Sequence, residues 1–179
     1  MRKLFFLCAA LCWLNAGYAQ KLKLEKLEQL LNASLDEAEE ELFLTGYSFL
    51  SEKNKADTTN KIYIFSNRKN TIGTAKFVWK GIYTREPLKS FVKYVTYDRN
   101  EFEHFRKLMI QNQFERLDPK SIDENSSYSK ENLHVNFEVT KDEYDNVTFM
   151  LTLTNLKSLS KAKALRRISV KDLFKQREE

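Results

Sequence analysis

Cysteine occurs only at Cys8 and Cys12. From residue 20 onward there is no thiol, which excludes a disulfide framework, a thiol nucleophile and a thiolate-held metal. Glycine and proline number four and two in 179 residues. That scarcity argues against a disordered chain, and the isolated Gly73 and Gly81 form no phosphate-cradling loop. The only histidines are His104 and His134, so no pair stands at the spacing that sets two ligands on one helical turn. The Gly-x-Ser-x-Gly and His-Glu-x-x-His signatures are missing. Asp142-Glu143-Tyr144-Asp145-Asn146 lacks the central glycine of a calcium loop and reads instead as a turn.

The first residues carry one strong pattern. Arg2 and Lys3 precede an eleven-residue apolar run, Leu4 to Leu14, and Gly17 and Ala19 are small. This matches a secretory signal cleaved near Ala19. A membrane-spanning helix needs about 20 residues. Neither cysteine follows a small residue, so lipid attachment is not expected. The mature chain is expected to begin near Gln20 and to lie in the periplasm or outside the cell. Its 160 residues suit one domain. Loss of Arg2 and Lys3 lowers the net charge from +5 to +3, too mild an excess to suggest nucleic acid.

Thirteen phenylalanines promise a sizeable core. Leu24, Leu27, Leu30 and Leu31 recur at helical spacing within Lys21 to Leu31. Ser34 followed by Glu37 forms a capping box for a helix burying Leu35, Ala38 and Leu42, and Gly46 ends it. Strands are expected at Lys61 to Ser66, Thr74 to Tyr83 and Ser90 to Tyr97. Asp98 and Glu101 repeat the cap signature ahead of a helix burying Phe102, Phe105 and Met109. Pro119 and the polar run Asp123 to Lys130 read as loop. Leu133, Val135, Phe137 and Val139 alternate with polar residues, as do Val147, Phe149, Leu151 and Leu153; such alternation belongs to antiparallel strands with one wet face.

Leu35, Ala38, Leu42 and Tyr47 match Phe102, Phe105, Met109 and Phe114 at a constant offset of 67. Each helix is followed by a short aromatic segment, Tyr47 to Leu50 or Phe114 to Leu117, then by strands; Ala164 to Val170 would complete the second set. The expected fold is α+β, two α-then-antiparallel-β repeats forming a curved sheet with helices on one face. Residues 1–19 are the signal, 20–97 the first half, and 98–179 the second half with a basic tail. This element order is similar to the tandem modules of the β-lactamase-inhibitor-protein type, small secreted domains whose concave sheet grips a partner. The likeness rests on element order alone and carries over no functional residue. The lysine- and asparagine-rich style also resembles exported proteins of Bacteroidota, in which Asp57-Thr58-Thr59 would fit an O-glycosylation pattern. Asn32-Ala33-Ser34, Asn125-Ser126-Ser127 and Asn146-Val147-Thr148 fit the N-glycan acceptor pattern in hosts that use it.

Surface chemistry is sparse. Asp36, Glu37, Glu39, Glu40 and Glu41 fan around a helix near its N-terminus, where negative charge suits the backbone dipole. Trp79, Tyr83, Tyr94 and Tyr97 are candidates for a ligand-gripping surface, although Trp79 shares a face with Phe77 and that face is expected to pack in the core. The tail from Ser160 carries Lys161, Lys163, Arg166, Arg167, Lys171, Lys175 and Arg177. It would either dock on an acidic partner or headgroups or form a strand and a short helix. The expected function is a non-catalytic, exported binding module, inhibitor-like in its sharper form. It would engage a protein or envelope component through the open sheet face or the loop Asp118 to Lys130. No catalytic, cofactor-binding or metal residue is assigned, and no nucleic-acid partner or transmembrane segment is expected. The rivals are a carboxylate-dependent enzyme acting on glycans and a structural envelope protein that self-associates through a sheet edge.

Overall fold

Ser34 sets the first firm corner of the chain. Its hydroxyl accepts from the Glu37 amide at 3.3 Å while its own amide donates to Glu37 Oε2 at 2.8 Å. The Ser34 amide, and after it the Ser34 hydroxyl donating to the same oxygen at 2.9 Å, hold the Glu37 carboxyl below its usual pKa. The computed structural model describes residues 22–54, 60–68, 74–85, 90–117 and 125–155. Residues 1–19, Asp57-Thr58-Thr59, positions 118–124 and the tail with Ala164 to Val170 lie outside the described residues.

Among the described residues three helices are present: α1 (Leu24–Asn32), α2 (Leu35–Leu44) and α3 (Arg99–Gln111). The last two end alike. At α2 the amides of Gly46 and Tyr47 donate to the carbonyls of Phe43 and Leu42 at 3.0 and 2.9 Å. At α3 those of Gln113 and Phe114 donate to Ile110 and Met109 at 3.1 and 2.9 Å. This paired 5→2 and 6→1 arrangement satisfies orphan carbonyls and needs a left-handed residue just past the end. Gly46 takes it freely at φ 86°; Gln113 takes it at φ 60°, against the clash of its Cβ. The start of α3 differs from a capping box. Asp98 accepts from the amides of Asn100 and Glu101, but the Glu101 side chain turns inward rather than back.

Among the described residues eight strands form one open antiparallel sheet: β1 (Ser48–Asn54), β2 (Asn60–Ser66), β3 (Phe77–Tyr83), β4 (Phe91–Thr96), β5 (Glu115–Arg116), β6 (Ser126–Lys130), β7 (Leu133–Lys141) and β8 (Val147–Asn155). Their order is β1-β2-β3-β4-β8-β7-β6-β5. Three strands differ from the sequence expectation. Tyr47 to Leu50 leads into a full edge strand, β5 is two residues long, and Ser126–Lys130 is strand rather than loop. In β6 the inward residues are Ser126 and Tyr128, so its alternation is of size and not of hydropathy. The β7–β8 turn is as expected: Asp142 Oδ1 accepts from the amides of Tyr144 and Asn146, both at 2.9 Å.

One face of the sheet carries the core. Leu24, Leu27 and Leu30 of α1, Ala38 and Leu42 of α2, and Phe102, Phe105 and Met109 of α3 share a cluster with Phe65, Val78, Val92, Tyr94, Leu151, Leu153, Val135 and Phe137. The strand registers put those strand residues on a single side. Helix α1 lies over β4 and β8 at the middle, α3 beside it on the same two strands, and α2 against β1. All described helices therefore occupy the inner face.

Candidate functional site

The pleat that buries Val78 and Lys80 sends Phe77, Trp79 and Tyr83 to the other side. This reverses the expectation for β3, in which the aromatic face was to be the core. The lysine is what misleads. Lys80 is 3% exposed, and its ammonium donates to the Leu30 carbonyl of α1 at 2.6 Å. It thus caps a helix C-terminus, where a cation suits the dipole. Burial lowers its pKa to about 8, with the charge of Glu37 acting the other way.

That shift has a signed consequence. Below about pH 8 both folded and unfolded chains hold the proton, and the full burial penalty is present. Between about 8 and the ordinary 10.5 the unfolded chain holds more protons than the folded one, so stability rises with pH. We expect the unfolding free energy to climb by about 2 kcal/mol from pH 8 to 10 relative to a Lys80→Met variant. Urea titrations of both proteins across that window check it; parallel curves would show that the buried charge carries no such penalty.

Cross-strand register lays the outer face out in rows. Ile64, Trp79, Lys93, Thr152, Asn136 and Ser127 stand opposite one another from β2 to β6. On one side of that row run Ser66, Phe77, Val95, Met150 and Glu138; on the other, Ile62, Gly81, Phe91, Thr154, His134 and Ser129. The face is thus divided. Strands β2 to β4 present mostly aromatic and aliphatic side chains, with Lys93 among them, and β6 to β8 present mostly polar ones, with Met150 the apolar exception. Gly81 is required where it is, because a Cβ there would fall 2.1 Å from the Phe91 ring. That ring also meets Tyr83 at 6.3 Å.

Trp79 stands at the junction of the two halves. The ammoniums of Lys53 and Lys93 approach its ring centroid to 5.4 and 5.6 Å, within cation–π range. Lys53 reaches it through a bulge. β1 pairs Phe49 with Phe65 but Ser51 with Ile64, and the extra residue shifts the side-chain alternation. Without it Lys53 would point inward. Lys93 also lies 4.0 Å from Glu138. Glu138 accepts from Asn136 Nδ2 at 2.8 Å, and Asn136 Oδ1 accepts from Ser127 Oγ at 2.8 Å. Two donors in the row, Trp79 Nε1 and Thr152 Oγ1, are buried and have no hydrogen-bond partner.

The other candidates fall elsewhere. Tyr94 is a core residue, edge-on to Phe105 at 5.7 Å; its hydroxyl and that of Tyr47 are pushed well above the usual phenol range, mainly by burial. Tyr97 sits at the end of β4 and donates to Asp142 Oδ2 at 3.0 Å. Burial, then Asp142, raises its pKa. Glu101 is paired with Lys76 at 2.8 Å and accepts from Thr96 at 3.0 Å, a satisfied structural node. His104 is exposed on α3. His134 Nδ1 lies 3.3 Å from Thr154 Oγ1. Of the acidic run, Glu41 pairs with Lys26 and Glu37 serves the cap. Among the described residues no group of His, Asp or Glu is placed to hold a metal, and no helix is long and apolar enough to cross a membrane.

Of the four aromatics singled out from sequence, then, Trp79 and Tyr83 stand on the outer face of β3, Tyr94 is in the core, and Tyr97 lies just beyond the end of β4 on Asp142. Lys53, Lys93, Asn136, Glu138 and Thr152 were not foreseen, because only the registers between strands bring them to Trp79. No family model, curated protein or solved structure matches the chain.

Proposed function

We propose that this chain is an exported, non-catalytic binding module that engages a protein partner through the outer face of its sheet. The observation that carries the reading is the cation-flanked Trp79, set among half-buried Phe77, Phe91 and Tyr83 on a face that no described helix covers. Aromatic anchors beside charged groups are the usual seats of binding energy at protein interfaces. The signal-like first 19 residues support export, to the periplasm or beyond.

On this reading the sheet is a curved platform built from two α-then-antiparallel-β units of the β-lactamase-inhibitor-protein type. Two features support that. The helix ends at Gly46 and Gln113 have the same bonding 67 residues apart, and the strand order mirrors about the β4–β8 pair. In that scheme β7 and β8 answer β3 and β4, and β6 answers β2.

The test uses the chain from Gln20 onward, immobilised and exposed to envelope and culture-supernatant fractions, beside a Trp79→Ala variant whose fold is checked by circular dichroism. The expected result is one stoichiometric protein partner, with affinity lower by roughly 30-fold in the variant, as for an interface anchor worth about 2 kcal/mol. Equal capture by both proteins, or none by either, would count against the reading.

A second reading, a structural component that self-associates through β1, is favoured by one observation. Phe43, Leu44, Phe49 and Leu50 are 72, 69, 47 and 44% exposed beside that free edge. Exposed apolar edge strands invite pairing. A monomer in sedimentation at high concentration removes it.

A further inference from the structure

The unused hydrogen-bonding capacity around Trp79 is mostly that of donors. Lys53 makes no ion pair or hydrogen bond among the described residues, and its ammonium lies over the ring at 5.4 Å. The indole N–H and the Thr152 hydroxyl are buried without partners. Lys93 has one carboxylate near it, Glu138 at 4.0 Å, the outer limit of an ion pair, and that carboxylate is already engaged by Asn136. Two ammoniums are thus left to donate at the surface, with an indole N–H and a hydroxyl unsatisfied beneath them.

We infer that the group seated here is the carboxylate of an acidic residue in a partner polypeptide, received by Lys53 and Lys93 at the edge of the Trp79 indole. The inference rests on the binding-module reading and gives its partner a chemistry. An ionised carboxylate only accepts hydrogen bonds, which matches a set of donors. Sugar hydroxyls donate as well as accept, and the amide and carboxylate oxygens beside the site are already engaged, Glu138 by Asn136 and Asn136 by Ser127. Phosphate sites add guanidinium groups or free backbone amides, whereas the strand amides here are committed to the sheet. The half-buried Phe77, Phe91 and Ile62 around the donors call for apolar side chains next to the carboxylate. Such neighbours would exclude water and strengthen the charge-assisted bonds.

Trp79 supplies the readout. Trp13 is the other tryptophan, so in the chain from Gln20 onward the indole fluorescence is that of Trp79 alone. The probes are two blocked pentapeptides, Phe-Leu-Glu-Leu-Phe and the same peptide with Gln in place of Glu. The Glu peptide is expected to give a saturable change that weakens as salt is raised. The Gln peptide should bind about 10-fold more weakly, the scale of one charge-assisted contact. Lys53→Met and Lys93→Met should each weaken the Glu peptide by about that factor and leave the Gln peptide unchanged. Equal binding of the two peptides overturns the inference. So does the absence of any response at millimolar concentration, or displacement of the Glu peptide by equimolar inorganic phosphate. The two proposals fail separately. A captured partner lost by Trp79→Ala but kept by both lysine variants leaves the module standing and removes its acidic ligand. A partner kept by Trp79→Ala removes the module's face itself.

Discussion

Truncating Phe102 to alanine is expected to cost about 4 kcal/mol, as for other large aromatic deletions in packed cores. The ring is 2% exposed. It lies 5.3 Å from the Phe137 ring, edge-on, and 5.1 Å from that of Phe149. It is the first buried apolar residue of α3, and it meets β7 and β8 together. Its removal therefore opens a void bounded by a helix and two strands, none of which moves without breaking ladder bonds. Domains of this size are stable by roughly 5–15 kcal/mol, so the loss is a large share of the total. Urea denaturation should show a lower midpoint with an unchanged slope. A cost under about 1 kcal/mol would mean that the site collapses and that α3 is not pinned there.

Removing the Glu101 carboxylate is expected to be nearly as damaging, about 3–5 kcal/mol for Glu101→Ala. The side chain is 3% exposed and holds Lys76 at 2.8 Å. Around it runs a closed circuit. The Asp98 amide donates to Thr96 Oγ1 at 3.1 Å, Thr96 Oγ1 donates to Glu101 Oε2 at 3.0 Å, and the Glu101 amide donates to Asp98 Oδ1 at 3.3 Å. The carboxylate thus ties β4, the start of α3 and the residue ahead of β3 at one point. Deleting it leaves an ammonium and a hydroxyl to find new partners. A double-mutant cycle with Lys76→Met separates pair from circuit. The double variant should cost less than the two single costs together, because the second loss no longer strands a charge. Strict additivity would show that Lys76 and Glu101 do not depend on each other.

How much of this was readable beforehand depended on which physical signal each element carries. The α2 cap was legible because Ser34 and Glu37 act over one turn. β7 and β8 were legible because Val135, Phe137, Leu151 and Leu153 alternate cleanly with polar residues. β6 was not, since Ser126 is buried and its run of serines reads as loop. β1 was missed for a related reason: as an edge strand it keeps Phe49 and Leu50 exposed and shows no alternation. On β3 the period was read correctly but the face was reversed. Hydropathy ranks Trp79 above Lys80, while the fold buries the lysine because the Leu30 carbonyl lies above it. That carbonyl is 50 residues away in the chain, and no local pattern announces it. The candidate site was less legible still. Trp79 and Tyr83 were visible as aromatics, but the approach of Lys53 depends on a one-residue bulge in β1, and that of Lys93, Thr152 and Asn136 on registers between strands.

The place of β8 between β4 and β7 bears on the order in which the molecule can be made. Every other described strand pair joins neighbours in the chain, whereas β4 and β8 join Phe91 to Thr154. A growing polypeptide can assemble β1 to β4 early, yet the edge of β4 stays open until β8 is complete, at Asn155. Closing so long a loop is the slow kind of contact, and an open central strand is the kind that pairs with strangers. Completion of the sheet is therefore tied to β8, the last described strand, and the two halves of the sheet become one surface only when it docks.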